Sequence, residues 1–157
     1  MASKIDHPGV YIPPPLFFVA TFLVAVYIQR HIPINRAFFD SGLATVLGVL
    51  IMAGGLAFLV PALYRFVKTK NTLVTIRPAK TLQTTGIYAI TRNPMYISLL
   101  LLYLGLSFII GNWWNIILSP LLVTVVQEYI IKREERYLEH HFGEAFTTYK
   151  TRVRRWI

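Results

Sequence analysis

The chain has 157 residues, 55% of them hydrophobic, with 16 Lys and Arg against 7 Asp and Glu, a formal net charge of +9 and no cysteine. That is the length of one domain, with more apolar surface than a soluble core of its size can bury, so the bilayer is the expected solvent. Disulfides, thiolate metal sites and thiol nucleophiles are excluded, and His7, His31, His140 and His141 show no HExxH spacing, so no metal is expected.

Four apolar segments stand in chain order. The first, about residues 11–28, enters through Pro13-Pro14-Pro15, which suits a helix's first turn and not its interior. With little charge ahead of it and no small-residue cleavage pattern behind it, it reads as an anchor rather than a removed signal. The second, residues 41–64, carries no charge over 24 positions, and about 20 helical residues cross a hydrocarbon core of roughly 30 Å. The polar loop Arg65 to Arg92 is about 28 residues long, beyond an ordinary helix connection, and is where function is sought. Within it, Leu73-Val74-Thr75-Ile76 reads as packed and Arg77-Pro78-Ala79-Lys80 as a turn.

Beyond that loop, Ile97 to Gln127 is uncharged over 31 residues. Asn93 to Gln127 as one helix would reach about 52 Å, too long for a single crossing. Gly111-Asn112-Trp113-Trp114-Asn115 near its middle combines turn residues with indoles that settle at headgroup depth, so a helical hairpin of spans 95–111 and 114–131 is expected, with Pro120 bending the second arm. Gly48, Gly54 and Gly55 in the second span serve close helix packing. The expected fold is an all-α integral membrane domain over residues 1–157, with four transmembrane helices and a cytoplasmic C-terminal segment.

Charge distribution orients it. Of the 16 Lys and Arg, 14 fall before span one, between spans two and three, or after span four. The positive-inside rule then puts both termini in the cytoplasm, of a bacterial or archaeal inner membrane or of the endoplasmic reticulum. It also accounts for the pI without nucleic acid, which no recognisable fold here would present to.

The polar blocks flanking the hairpin carry the chemistry. Gly86-x-Tyr88, Arg92-Asn93-Pro94-Met95-Tyr96, Glu134-Glu135, Phe142-Gly143-Glu144, Tyr149 and Arg152-Val153-Arg154-Arg155-Trp156-Ile157 stand in that order. Over roughly residues 80–157 the chain resembles the isoprenylcysteine carboxyl methyltransferase family, akin to the membrane phospholipid methyltransferases. The resemblance implies a membrane enzyme that moves a methyl group from S-adenosylmethionine to a lipophilic acceptor: a prenylcysteine-like carboxylate, or a lipid amine or thiol. Its partners are the bilayer and that acceptor; oligomeric state stays open.

Carried over by position, the family's cofactor contacts fall on Lys80, Thr81, Leu82, Gln83, Tyr88, Asn93, Pro94, Met95, Tyr96 and Glu134, and the catalytic groups expected from the resemblance are Glu134 and, as a stand-in, Arg133. Many members have His where this chain has Asn93, which cannot titrate near neutrality. The carboxyl methyltransferases also place an arginine one turn before the glutamate. Here that position is Ile130, with Arg133 or Arg136 to stand in.

The residues themselves agree with such chemistry. No Gly-x-Gly-x-x-Gly follows a strand, so a cofactor would be held by loop backbone and helix ends. Asn93 as cap and Pro94 at the first helical position leave a helix N-terminus suited to a carboxylate, and Glu134 or Glu135 suits a sulfonium or ammonium. Neighbours on a helix lie about 100° apart, so only one of the two glutamates is expected to face the loop, and the resemblance selects Glu134. The alternative is a non-enzymatic four-span scaffold or small transporter; transport is disfavoured because spans one to three hold no ionisable group.

Overall fold

The computed structural model describes residues 8–69 and 81–157. Every regular element among them is helical: α1 (Pro14–His31), α2 (Gly42–Lys68), a 3₁₀ turn (Gly86–Ala89), α3 (Pro94–Ile110), α4 (Trp113–Val125), a π-helical turn (Val126–Ile131), α5 (Lys132–Phe142) and α6 (Glu144–Arg152). Lys80 and the packed and turn segments expected at 73–80 lie outside the described residues.

Local chemistry sets the helix ends. α1 and α3 each open on a proline, whose missing N–H costs nothing in a first turn. Ser41 Oγ accepts from the Ala44 amide at 3.3 Å and caps α2, which runs past Tyr64 to finish on Arg65 and Lys68, cations suited to a helix C-terminus. The hairpin turns where expected. Gly111 closes α3 at φ 72°, and Asn112 Oδ1 accepts from the Trp114 amide at 2.9 Å to start α4. The two indole N–H groups donate to the carbonyls of Asn35 (Trp113, 3.0 Å) and Ile32 (Trp114, 2.8 Å), tying the α1–α2 connection to the hairpin tip.

α2 and the continuous helix Trp113–Phe142 are long and apolar enough to cross a membrane, and α3 is a shorter apolar helix of 17 residues. α2 leaves Leu43, Val46, Leu50 and Val60 exposed, and α4 leaves Ile117 and Leu121. Apolar helices that the protein itself does not bury are solvated by lipid. The core lies where α1, α3 and α4 meet, around Phe18, Tyr103, Leu122, Val126 and Ile130.

α2 docks on α3 backbone to backbone. A Cβ on Gly105 would lie 2.7 Å from Gly48 O and 2.9 Å from Met52 N, and one on Gly48 would lie 2.9 Å from Gly105 O. A Cβ on Gly54 would meet nothing nearer than Leu101 Cδ1 at 3.9 Å. Gly105→Ala should therefore destabilise the bundle by about 1–3 kcal/mol through overpacking, whereas Gly54→Ala should be neutral or better from helix propensity. Thermal unfolding in detergent checks this; equal melting temperatures for the two variants would mean that the helices do not approach this closely.

Pro120 sits inside α4 and cannot donate to the Ile116 carbonyl; the Ser119 hydroxyl does so instead, at 2.7 Å. The departure from α geometry comes one turn later, in the π turn. An α-helix holding Asn115, Leu122 and Val126 inward would next bring about 129–130 and then 133 to that face. One extra residue in the turn moves the inward face on, so that Ile130 and Ile131 are both fully buried and the face reaches positions 134 and 135.

Candidate active site

A cavity of about 340 Å³ lies where α2 ends, α3 begins and the π turn gives way to α5. Of the residues expected to bind a cofactor, Thr81, Leu82, Gln83, Tyr88, Asn93, Pro94, Met95, Tyr96 and Glu134 all line it. Lys80 lies outside the described residues.

Each wall is held by a distinct local arrangement. On the loop side, Gly86 at φ 66° starts the 3₁₀ turn; a Cβ there would stand 3.3 Å from Arg65 Nε, which donates to Thr85 O at 3.3 Å. That turn delivers Tyr88, whose ring lies against Phe66 of α2 and whose carbonyl accepts from the Tyr149 hydroxyl at 2.6 Å. Burial first, then Tyr149 and Glu134, push the Tyr88 phenol well above its ordinary value, so it stays protonated. Gln83 Nε2 donates to Thr69 Oγ1 at 3.1 Å and Thr81 Oγ1 at 2.9 Å, which fastens the end of the loop to the end of α2.

The turn into α3 is fixed by the C-terminal segment. The Arg92 amide donates to Arg154 O at 3.0 Å, and Arg155 O accepts from Thr91 Oγ1 at 3.1 Å and Asn93 Nδ2 at 3.0 Å. Asn93 thus occupies the N-cap position expected of it, but its side chain makes no capping bond. The Arg155 carbonyl, 62 residues away in sequence, takes its amide instead.

α5 supplies the opposite wall, and both adjacent glutamates line the cavity. The expectation that only one could face the loop fails because partners close on α5 from two directions. Tyr96 on α3 donates its hydroxyl to Glu134 Oε1 at 2.9 Å. Glu135 receives Arg92 Nη2 at 3.0 Å and Arg155 Nη2 and Nε at 2.6 and 3.1 Å. The environments are opposite in kind. Burial raises the Glu134 carboxyl to about 7, Tyr96's hydrogen bond opposing the rise and the Glu135 charge adding to it.

Arg133 is not on the cavity wall. Its guanidinium lies over the Tyr129 ring, 4.3 Å from the centroid, and Nη1 donates to Gly9 O at 3.3 Å. The extra residue of the π turn carried the inward face past it. Arg136 is exposed and donates to the Lys132 carbonyl, so the arginine on the wall is Arg92. Arg92 and Glu135, with Phe66 and Tyr149, are among the wall residues that sequence reasoning did not select, and Arg155 pairs with Glu135 without itself lining the cavity. The Arg92-to-Tyr96 block and the Glu134-Glu135 pair contained part of the signal, but their pairing partner Arg155 is 20 residues beyond Glu135.

The arrangement can hold a small ligand with a flat or apolar portion, between Phe66, Tyr88, Leu138 and Phe146, and charged groups at the Glu134 and Arg92 edge. The sequence profile of the phospholipid methyltransferases matches residues 43–145. A protein of Haemophilus influenzae, described as uncharacterised, is 41% identical over 66 residues, 40% of this chain and all of that one. The protein-S-isoprenylcysteine O-methyltransferase of Schizosaccharomyces pombe is 33% identical over 72 residues, 46% of this chain but 30% of the yeast enzyme. No solved structure matches.

Proposed function

Because the chain belongs to the phospholipid methyltransferase family, we propose that it is an S-adenosylmethionine-dependent methyltransferase of the membrane, acting on a lipophilic acceptor through an oxygen, nitrogen or sulfur nucleophile. The observation that carries the reading is the convergence of nine motif residues, from four separate stretches of chain, on one cavity. In the same proposal four helices cross the bilayer, with the cavity, both termini and the loop before α3 on the cytoplasmic face.

The cavity fits the cofactor. Its volume lies within the usual range for small-ligand sites, and it pairs aromatic walls with a carboxylate set in an apolar surround. Thr81 to Gln83, Tyr88 and Asn93 to Tyr96 would line the bound molecule, with Glu134 opposite its positive charge. When bound, the cofactor supplies an electrophilic methyl group. The protein's part is then to align it with the acceptor and exclude water, which requires no protein nucleophile. Tyr96 holds the Glu134 carboxylate in place, and Arg133 acts from outside by pinning Gly9, so that Pro8 remains on the cavity wall.

Calorimetry and thermal unfolding with S-adenosylhomocysteine test this. Binding should stabilise the purified protein by about 2.7 kcal/mol at 100 times Kd. No heat and no stabilisation at millimolar ligand would overturn the reading. Topology is checked separately, since the chain has no cysteine of its own. In intact cells, an impermeant maleimide should label Asn35→Cys and spare Thr148→Cys, and the reverse pattern would refute the orientation.

A further inference from the structure

We propose that Arg92 seats a carboxylate of the bound ligand, through guanidinium donors that Glu135 leaves unused. The proposal rests on the methyltransferase reading and deepens it by assigning a charge-recognition subsite within the same cavity.

Three observations carry it. The Arg92 side chain is 9% exposed and lines the cavity. Of its three nitrogens only Nη2 has a partner, Glu135, while Nε and Nη1 are buried without a hydrogen bond. Native proteins rarely leave buried donors so, least of all charged ones. Charge balance points the same way. One carboxylate, Glu135, is shared by two guanidiniums, Arg92 and Arg155, so it neutralises only one of the two.

Nearby acceptors are already engaged. The Arg155 carbonyl takes Thr91 and Asn93, and the Tyr88 carbonyl takes Tyr149. Glu134 already accepts from Tyr96. An incoming carboxylate matches the planar guanidinium in charge and geometry and would complete its hydrogen bonding. Two ligands of the proposed reaction can carry that group. The amino-acid end of the cofactor presents a carboxylate together with an ammonium, so it would meet Arg92 and Glu134 at once; an acidic lipid acceptor would meet Arg92 alone.

The test removes the carboxylate from the ligand rather than the arginine from the protein. Binding to wild-type protein in detergent is measured for two pairs: S-adenosylhomocysteine and its decarboxylated form, and a long-chain fatty acid and its primary amide. In one pair, loss of the carboxylate should weaken binding about 10- to 150-fold, and that pair identifies the source. Arg92→Gln should bind both members of that pair equally. Arg92→Lys, which keeps the charge facing Glu135, should retain part of the difference. Equal affinities within both pairs overturn the assignment and leave the cofactor reading standing if S-adenosylhomocysteine itself binds. Absence of S-adenosylhomocysteine binding sinks the cofactor reading instead, and no binding by any of the four ligands sinks both. Should Arg92→Gln fail to fold, the wild-type comparison still decides.

Discussion

Glu135→Gln is expected to cost the folded protein about 3–5 kcal/mol, the range for breaking a buried ion pair from one side. Arg92 and Arg155 would both lose the carboxylate that neutralises them, with only 9% and 28% of their side chains exposed to water. Arg155's partial exposure pulls the figure toward the lower end. The loss spreads further, since the Arg155 backbone carbonyl also holds Thr91 and Asn93 at the entry to α3. Denaturant unfolding in detergent measures it. A change under about 1 kcal/mol would mean that the two arginines find solvent easily and that the network does not hold the wall.

Glu134→Gln should do the opposite to stability and far more to binding. The Glu134 carboxyl is raised from 4.5 to about 7 in the fold, by burial above all. The folded state therefore holds this proton more tightly than the unfolded chain does. The resulting stabilisation is present below pH 4.5 and is lost as pH rises through about 7. Gln is neutral throughout and still accepts from Tyr96, so the variant should melt above wild type at pH 8 and the gap should close toward pH 4. Loss of a charge-assisted contact to a cationic ligand weakens binding about 10- to 150-fold, so S-adenosylmethionine affinity at pH 8 should fall by that factor. Lower stability at pH 8 with unchanged affinity would show that Glu134 is structural. The adjacent glutamates are thus separable: one variant weakens the fold, the other weakens the ligand.

What the sequence made legible was whatever neighbouring residues encode. Pro14 and Pro94 mark helix starts, and Gly111-Asn112 the turn between α3 and α4, each within a few residues of its effect. The cavity's outline was legible through the family resemblance, whose motif residues Tyr88 and Asn93 to Tyr96 are nearly contiguous. Pairing across the chain was not. Asn93 has the composition and place of a cap, yet its side chain bonds a carbonyl 62 residues on, a choice made only once the C-terminal segment packs against the turn. Gly105 lies unremarked in an apolar run, and its importance comes from Gly48 on another helix. Arg133 entered only as a stand-in for the family arginine missing at Ile130, and it would lie on the inward face only if the helix kept 3.6 residues per turn throughout.

The π turn breaks that assumption, and it also bears on how many residues this stretch needs. Six residues, Val126–Ile131, are wound with one more than an α-helical path between the same two ends would use. α4 and α5 are therefore phased as they would be in a chain one residue shorter. Removing a single position here would let the helix close up while both glutamates stayed on the cavity, whereas the same deletion on either side would swing them about 100° away. Among the described helices, this is the turn where the protein carries slack.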